Sequence, residues 1–263
     1  DPTLWLPGED HAGIATQNVI EKELAKEGLT RHDLGREAFV ERTWMWVRKY
    51  RSRIADQHRK LGASADWTRD VFTLDPGIVK AVRTTFVNLY NHGLIYKGLR
   101  MINWCPRCET ALSDLEVDYL DVQSKLYFVR YPVMGEGGMP LPAYVTVATT
   151  RPETMVADTG VAVNPSDERY EERIGRQLLL PIIGRDIPIV ADEHVKPEFG
   201  TGAVKVTPGH DPNDWEIGQR HDLPVIIAID PRGIMNDEAG PYAGMPVEEA
   251  RAERRPDWDL TAS

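Results

Sequence analysis

Two stretches of this chain collect hydroxyl, ammonium, guanidinium and carboxylate groups where a strand reads into a helix start. The first is Thr149-Thr150-Arg151-Pro152-Glu153-Thr154-Met155; the second, Gly200 to Asp214, holds Lys205, Thr207, His210, Asp211 and Asp214. Helix starts leave backbone N–H groups unpaired and carry partial positive charge, so two of them facing each other suit a phosphate, a carboxylate or a developing oxyanion. Neither stretch holds a cysteine or a Gly-x-Ser-x-Gly elbow. Covalent nucleophilic catalysis is therefore not expected, and the group is better suited to holding an ester and a water. Capping explains part of the same pattern: Asp211 before Pro212 with Asp214 in the first turn, and Thr150 or Arg151 before Pro152 and Glu153, are sound helix starts in any protein.

The positioning elements follow from periodicity. Tyr144 to Thr149 is β-prone, and Pro152 sits where a first helical residue tolerates a missing N–H. Val204 and Val206 alternate with Lys205 and Thr207, so the lysine and the threonine share the face opposite the valines. His210 to Asp214 then opens a helix running through Trp215 to Gly218.

The chain has 263 residues, enough to bury a real core in one large or two ordinary domains. Residues 1–123 carry 17 Lys/Arg against 18 Asp/Glu and residues 124–263 carry 14 against 23, within a formal net charge of −10. That balance does not support a broad electrostatic grip on nucleic acid. Arg42, Arg48, Lys49, Arg51, Arg53, Arg59 and Lys60 crowd one expected helix, and a solvated helix face is the preferred reading of that cluster. No apolar run approaches membrane-spanning length and no signal peptide opens the chain, so neither a membrane partner nor secretion is expected. The two cysteines, Cys105 and Cys108, sit close together as Cys-Pro-Arg-Cys, which argues for a reducing cytoplasm rather than a disulfide scaffold.

In chain order, Leu4 to Gly8 reads as a buried strand leading into Asp10 and His11, ahead of a helix marked by Ile20 and Leu24 that ends near Gly28. Strand, small-residue turn and helix is an α/β pattern, and ligands in such folds gather at the carboxyl ends of strands. Asp33 is the expected cap of a long helix from Arg36 to Lys60, with Trp44 and Trp46 in its core. Asp75-Pro76 starts another helix, whose apolar face is Val79, Val82, Phe86, Leu89 and Tyr90, with Gly93 as its stop. Leu94 to Tyr96 and Met101 to Trp104 read as two strands that deliver the Cys-Pro-Arg-Cys turn. That turn can supply two of the four ligands of a structural zinc, and a redox role is the other option. Beyond Val117 come short β-rich segments: Lys125 to Val133, Tyr144 to Thr149, Gln177 to Ile183, Ile187 to Val190, Ala203 to Thr207 and Pro224 to Ile229. Gly135 to Pro140 is a hairpin-like loop, Val247 to Arg251 begins a helix, and Arg255 to Ser263 gives no clear element. The expected boundary lies near Gln123, with domains over 1–123 and 124–263.

Five segments together resemble class I aminoacyl-tRNA synthetases of the valyl type: Leu6 to Gln17 (LPGEDHAGIATQ), Leu61 to Trp67 (LGASADW), Asn103 to Val117 (NWCPRCETALSDLEV), Thr149 to Thr159 (TTRPETMVADT) and Gly200 to Asp214 (GTGAVKVTPGHDPND). The resemblance implies an α/β chain: part of a Rossmann-type catalytic domain over residues 1–123, and an inserted, β-rich, β-barrel-like editing domain from residue 124 on. The editing pocket would hydrolyse threonine wrongly attached to valine tRNA. A hydrophobic pocket for valine rejects threonine by only about a hundredfold, a known value for enzymes of this type rather than one obtained from this sequence.

Carried over position by position, Asp214 resembles the partner of the substrate's α-ammonium. Asp211, His210 and Thr207 would face the threonine hydroxyl or the attacking water, and Lys205, Thr149, Thr150, Arg151 and Thr154 would orient the ester and the terminal adenosine. Asp10 resembles the aspartate that receives valine's ammonium in the synthetic site, with His11 beside it, and Cys105 with Cys108 resembles a zinc knuckle. The family's ATP-binding His-Ile-Gly-His and Lys-Met-Ser-Lys-Ser signatures do not occur. The resemblance thus implies an internal, monomeric piece of a larger ATP-dependent ligase, one that does not activate valine by itself.

Overall fold

β1 (Gly8–Glu9) lies parallel to β2 (Val71–Phe72), and around this short pair the N-terminal residues assemble. The computed structural model describes residues 3–135 and 137–253, in two units, Asp1–Gly98 and Leu99–Ser263. After β1, α1 (Gly13–Lys26) buries Thr16, Ile20 and Leu24, four residues apart on one face, as helical spacing requires. Of the strand expected over Leu4 to Gly8 only Gly8 pairs, with Glu9 beyond it, and Leu4, Trp5 and Leu6 are exposed.

Asp33 does not cap the long helix. It closes a capping box with Thr30 at the start of the one-turn α2 (Arg31–Leu34), while α3 (Arg36–Lys60) starts from Gly35, whose φ of 77° suits glycine. Trp44 and Trp46 are not core residues either: Trp44 is 37% exposed and meets Phe72 edge-on, and Trp46 stacks on Tyr50 at 4.3 Å. Among the described residues, three of the seven basic residues singled out on α3 form ion pairs, Arg42 with Glu27, Arg51 with Glu9 and Asp70, and Arg59 with Asp56. α4 (Pro76–Asn91) begins and ends where expected, yet its apolar stripe is uncovered, with Phe86 61% and Tyr90 63% exposed.

In the second unit, β3 (Asn103–Cys105) and β4 (Thr110–Leu112) form an antiparallel hairpin with Cys108 in its turn. Residues 94–96 form no strand; the hairpin partner lies after the cysteines, not before them. The main sheet comprises β5 (Tyr127–Met134), β6 (Pro140–Thr149), β7 (Gly160–Val163), β8 (Gln177–Leu179), β9 (Asp186–Ala191) and β10 (Ala203–Val206). Its order is β10-β7-β9-β8-β5-β6, with β7 and β9 parallel and the other pairs antiparallel. β6 and β10, at opposite ends of that order, also pack together, so the sheet is curled. Val129, Tyr131, Val145, Val147, Leu178, Ile187 and Ile189 fill its interior at alternate positions. α5 (Pro212–Arg220) follows β10, and α6 (Val247–Ala252) packs on the 3-10 turn Pro152–Ala157.

The main sheet departs from expectation in three further places. β7 was not anticipated: all four of its residues are buried, so it shows no alternation. The strand from Gln177 stops at Leu179, because Leu180 N–H turns back to the Arg185 carbonyl. Pro224 to Ile229 forms no named strand. Two of its backbone groups go to side chains, Ala228 N–H to His210 Nε2 and the Ile227 carbonyl to Asn236 Nδ2, and what pairing remains is the Asn236 N–H to the Ala228 carbonyl and an isolated bridge of Ile229 with Met235. Arg255 to Ser263 lies outside the described residues.

Candidate functional site

β6 and β10 deliver the two polar stretches to one place. After Thr149 the chain enters the 3-10 turn Pro152–Ala157, every residue of which is buried. Arg151 is the N-cap residue of that turn, as expected, but without a side-chain cap bond; Thr149 Oγ1 accepts its N–H at 3.0 Å. From β10, Lys205 Nζ donates to Thr154 Oγ1 at 2.9 Å and to Thr207 Oγ1 at 2.6 Å, and lies 3.4 Å from Asp158 Oδ1. Lys205 and Thr207 thus share a face, as their spacing predicts. An ammonium has three N–H bonds, and these three contacts occupy them. Thr207, Thr154 and Thr149 are buried and Thr150 is exposed.

α5 brings the carboxylates. Asp211 is a side-chain cap, its Oδ1 accepting from Asn213 N–H at 2.8 Å and Asp214 N–H at 3.2 Å. With Pro212 lacking an N–H, the helix start keeps few donors for an oxyanion, contrary to the open helix end that spacing suggests. Asp214 folds back so that Oδ2 accepts the Thr207 N–H at 2.9 Å, and Oδ1 has no hydrogen-bond partner among the described residues. Burial raises the Asp214 carboxyl to about 6, against the opposing pull of Lys205.

His210 lies beside Arg151, which donates from Nη1 to the His210 carbonyl at 2.6 Å. Burial, with Arg151 and Lys205 nearby, lowers the His210 imidazole to about 4, so the ring is neutral at pH 7. Its Nε2 accepts the Ala228 N–H at 3.0 Å. A neutral ring that accepts at Nε2 carries its proton on Nδ1, which leaves no free basic nitrogen. His210 is thereby unsuited to act as a general base. Arg151, Gly209 and His210 line a groove of about 740 Å³ with Trp104, Ile229 and Arg232.

The two shifted groups act oppositely on stability. The unfolded chain protonates His210 near 6.5 and the folded chain only near 4, so this group costs stability as pH falls between those values. Asp214, raised from 3.8 to about 6, contributes stability as pH falls through about 6 toward 3.8. Each contribution is about 3 kcal/mol and they nearly offset. Urea unfolding between pH 7 and pH 4 is expected to show Asp214→Asn losing stability on acidification relative to the parent and His210→Gln gaining it. Equal slopes in all three proteins would contradict this.

Sequence reasoning missed four side chains here. Asp158 accepts from Tyr131 OH at 2.7 Å and from Thr207 Oγ1 at 2.5 Å. Glu153, its side chain fully buried, takes a two-pronged contact from Arg251 of α6, at 3.0 and 2.8 Å, and lies 3.6 Å from Arg151 Nε. Asp158 sits inside the quoted TTRPETMVADT segment, but no spacing rule links it to Tyr131, or Glu153 to Arg251.

Asp10 and His11 belong to the first unit, where His11 Nδ1 lies 2.7 Å from Thr73 Oγ1 and Asp10 is largely exposed. In the hairpin, the Cys108 N–H donates to Cys105 Sγ at 3.4 Å, and with the Arg107 N–H it draws the Cys105 thiol below its ordinary range. Two such thiols in a tight turn fit half of a tetrahedral metal site. Among the described residues no group of three or more His, Cys, Asp or Glu could hold a metal ion.

A family model for tRNA synthetases class I (I, L, M and V) matches residues 1–249. The chain belongs to the class I tRNA synthetase family. Similar proteins that bear the words "Valine--tRNA ligase" include those of Nitratidesulfovibrio vulgaris and Thermotoga maritima. The protein of Nitratidesulfovibrio vulgaris is 59% identical over 260 residues, 99% of this chain and 29% of that protein; that of Thermotoga maritima is 57% identical over 249 residues, 94% and 28%. This class I synthetase chain therefore spans less than a third of the length of these curated relatives. A solved structure titled "The crystal structure of GlLeuRS-CP1" is similar at a TM-score of 0.39 and 14% identity, over 49% of this chain and 92% of that one, too loose a likeness to bear an argument. Among the described residues, no helix is long and apolar enough to cross a membrane.

Proposed function

We propose that this chain carries the proofreading pocket of a valine–tRNA ligase, hydrolysing the ester that joins threonine to valine tRNA. The observation that supports it most is Asp214: a buried carboxylate with one free oxygen, held by the Thr207 N–H just past β10 and within the field of Lys205. An aminoacyl ester keeps a charged α-ammonium, and Oδ1 of Asp214 is the acceptor available for it. Arg151, half-buried at the groove, suits the phosphate or ribose of the terminal nucleotide, and Thr149 and Thr150 offer hydroxyls to the ester and a water. With its N–H bonds committed, Lys205 acts through its field rather than by direct donation. Asp211 serves the site by capping α5.

In the longer protein, residues 1–123 would contribute to a Rossmann-type domain using ATP to attach valine to its tRNA, with Asp10 and His11 near the amino acid, and residues from 124 on would form the editing domain. Cys105 and Cys108 would supply two ligands of a zinc whose part is structural. A monomer in the cytoplasm fits this reading.

The test is release of amino acid from valine tRNA charged with threonine or with valine. Threonine is expected to leave at least about a hundredfold faster, since a site built to bind a hydroxyl leaves polar groups unpaired when valine enters. Equal rates, or none above the spontaneous rate, would sink the proposal.

A further inference from the structure

The hydrolysis outlined above leaves one carboxylate without a task. Asp158 is fully buried behind Lys205, and it accepts from side chains on two strands: Tyr131 of β5 at Oδ2, and Lys205 and Thr207, on β10 and just past it, at Oδ1. Burial pushes its carboxyl up, while Lys205 and the hydroxyls of Thr207 and Tyr131 pull it down. Three donors on two oxygens is the environment of an anion, and a buried anion persists only when paired in this way.

The geometry points to Asp158 as a positioning residue of the hydrolytic site, which holds Lys205 away from Asp214 so that the Asp214 carboxylate stays free for the substrate. This rests on the hydrolase reading. Lys205 spreads its three N–H bonds over Thr154, Thr207 and Asp158. Thr207, fixed by Lys205 and Asp158 through its hydroxyl, presents its backbone N–H to Asp214 Oδ2. The charges felt by Asp214 are Lys205, Asp211 and Asp158. Without the charge on Asp158, the buried ammonium of Lys205 loses its counter-ion, and Asp214 is a carboxylate within its field. Lys205 then closes on Asp214, and the group meant for the substrate's ammonium is spent on an internal pair.

The 263-residue chain is tested as the parent, Asp158→Asn, Lys205→Met and the double variant. KM and kcat are measured for threonine release from valine tRNA, and the Asp214 carboxyl is titrated by carbon-13 NMR. Asp158→Asn is expected to raise KM about tenfold, the loss of one charge-assisted hydrogen bond, and to move the Asp214 midpoint below its parental value. Added to Lys205→Met, the same change is expected to alter KM by less than about twofold, because its action runs through Lys205. A full-sized effect on that background marks a merely structural role and overturns the proposal, as does an unmoved KM. Should Asp158→Asn alone fail to fold, the double variant, which buries no lone charge, carries the comparison with Lys205→Met. If the parent releases no threonine, the hydrolase reading fails by itself and the titration decides: Asp158→Asn lowering the Asp214 midpoint by more than it does on the Lys205→Met background, where only the direct loss of the Asp158 charge acts, upholds the role of Asp158, and an equal or smaller shift refutes it.

Discussion

Replacing Asp214 with alanine is expected to cut threonine release about a hundredfold, the scale of losing a hydrogen bond to a charged group in a buried site. The fold should survive. The carboxylate is held at about 6 by burial, so it is a desolvated charge whose removal relieves a cost even as the Thr207 N–H loses an acceptor. Melting temperatures near the parent's would therefore accompany a near-complete loss of activity. The pH profile gives the sign independently. Because the Asp214 carboxyl is raised, its ionised form disappears as pH falls through about 6, so kcat/KM should drop about tenfold per pH unit below that point. In Asp214→Asn the residual rate should lack that acid limb. A parent profile that stays flat down to pH 4.5 would remove Asp214 from the role of ammonium partner.

Gly209→Ala is expected to cost about 1–3 kcal/mol of stability and to disable the site. A Cβ on Gly209 would sit 2.3 Å from the Ile226 carbonyl oxygen, an atom of the backbone that cannot rotate aside. The chain must then shift between Thr207 and Asp211, carrying with it the His210 contacts to Arg151 and Ala228 and the start of α5. A displacement of about 1 Å at a reacting centre costs on the order of a hundredfold in rate. Gly77→Ala is the control: it lies in the first turn of α4 with nothing within 4 Å of its Cβ, and should be neutral or stabilising by up to about 1 kcal/mol. Urea unfolding and threonine release on both variants test the contrast. Parental stability in Gly209→Ala would show that the turn yields more easily than its contacts imply.

How much of this was legible beforehand depended on the range of the interaction. Local signals held: Pro76, Pro152 and Pro212 mark helix starts, Ile20 and Leu24 lie buried on α1, and the Lys205/Thr207 face follows from alternation. Where a nearer partner competed for a group, the sequence misled. Asp33 found Thr30 and capped the shorter helix, and in the strand expected over Pro224–Ile229 the Ala228 N–H donates to His210 Nε2 and the Ile227 carbonyl accepts from Asn236 Nδ2. β7 escaped because burial on both faces erases the period by which strands are read.

Residue types and their spacing determined on their own that two polar strand ends exist, that neither holds a covalent nucleophile, and which helices follow them. Tertiary structure alone decided what those residues are free to do. It committed the Lys205 ammonium to Asp158 and two threonines and the Nε2 of His210 to a distant backbone N–H, leaving one oxygen of Asp214 open. The reason is that a side chain's chemistry depends on which donors, acceptors and charges surround it once water is gone, and those neighbours come from strands that only the curled sheet brings together.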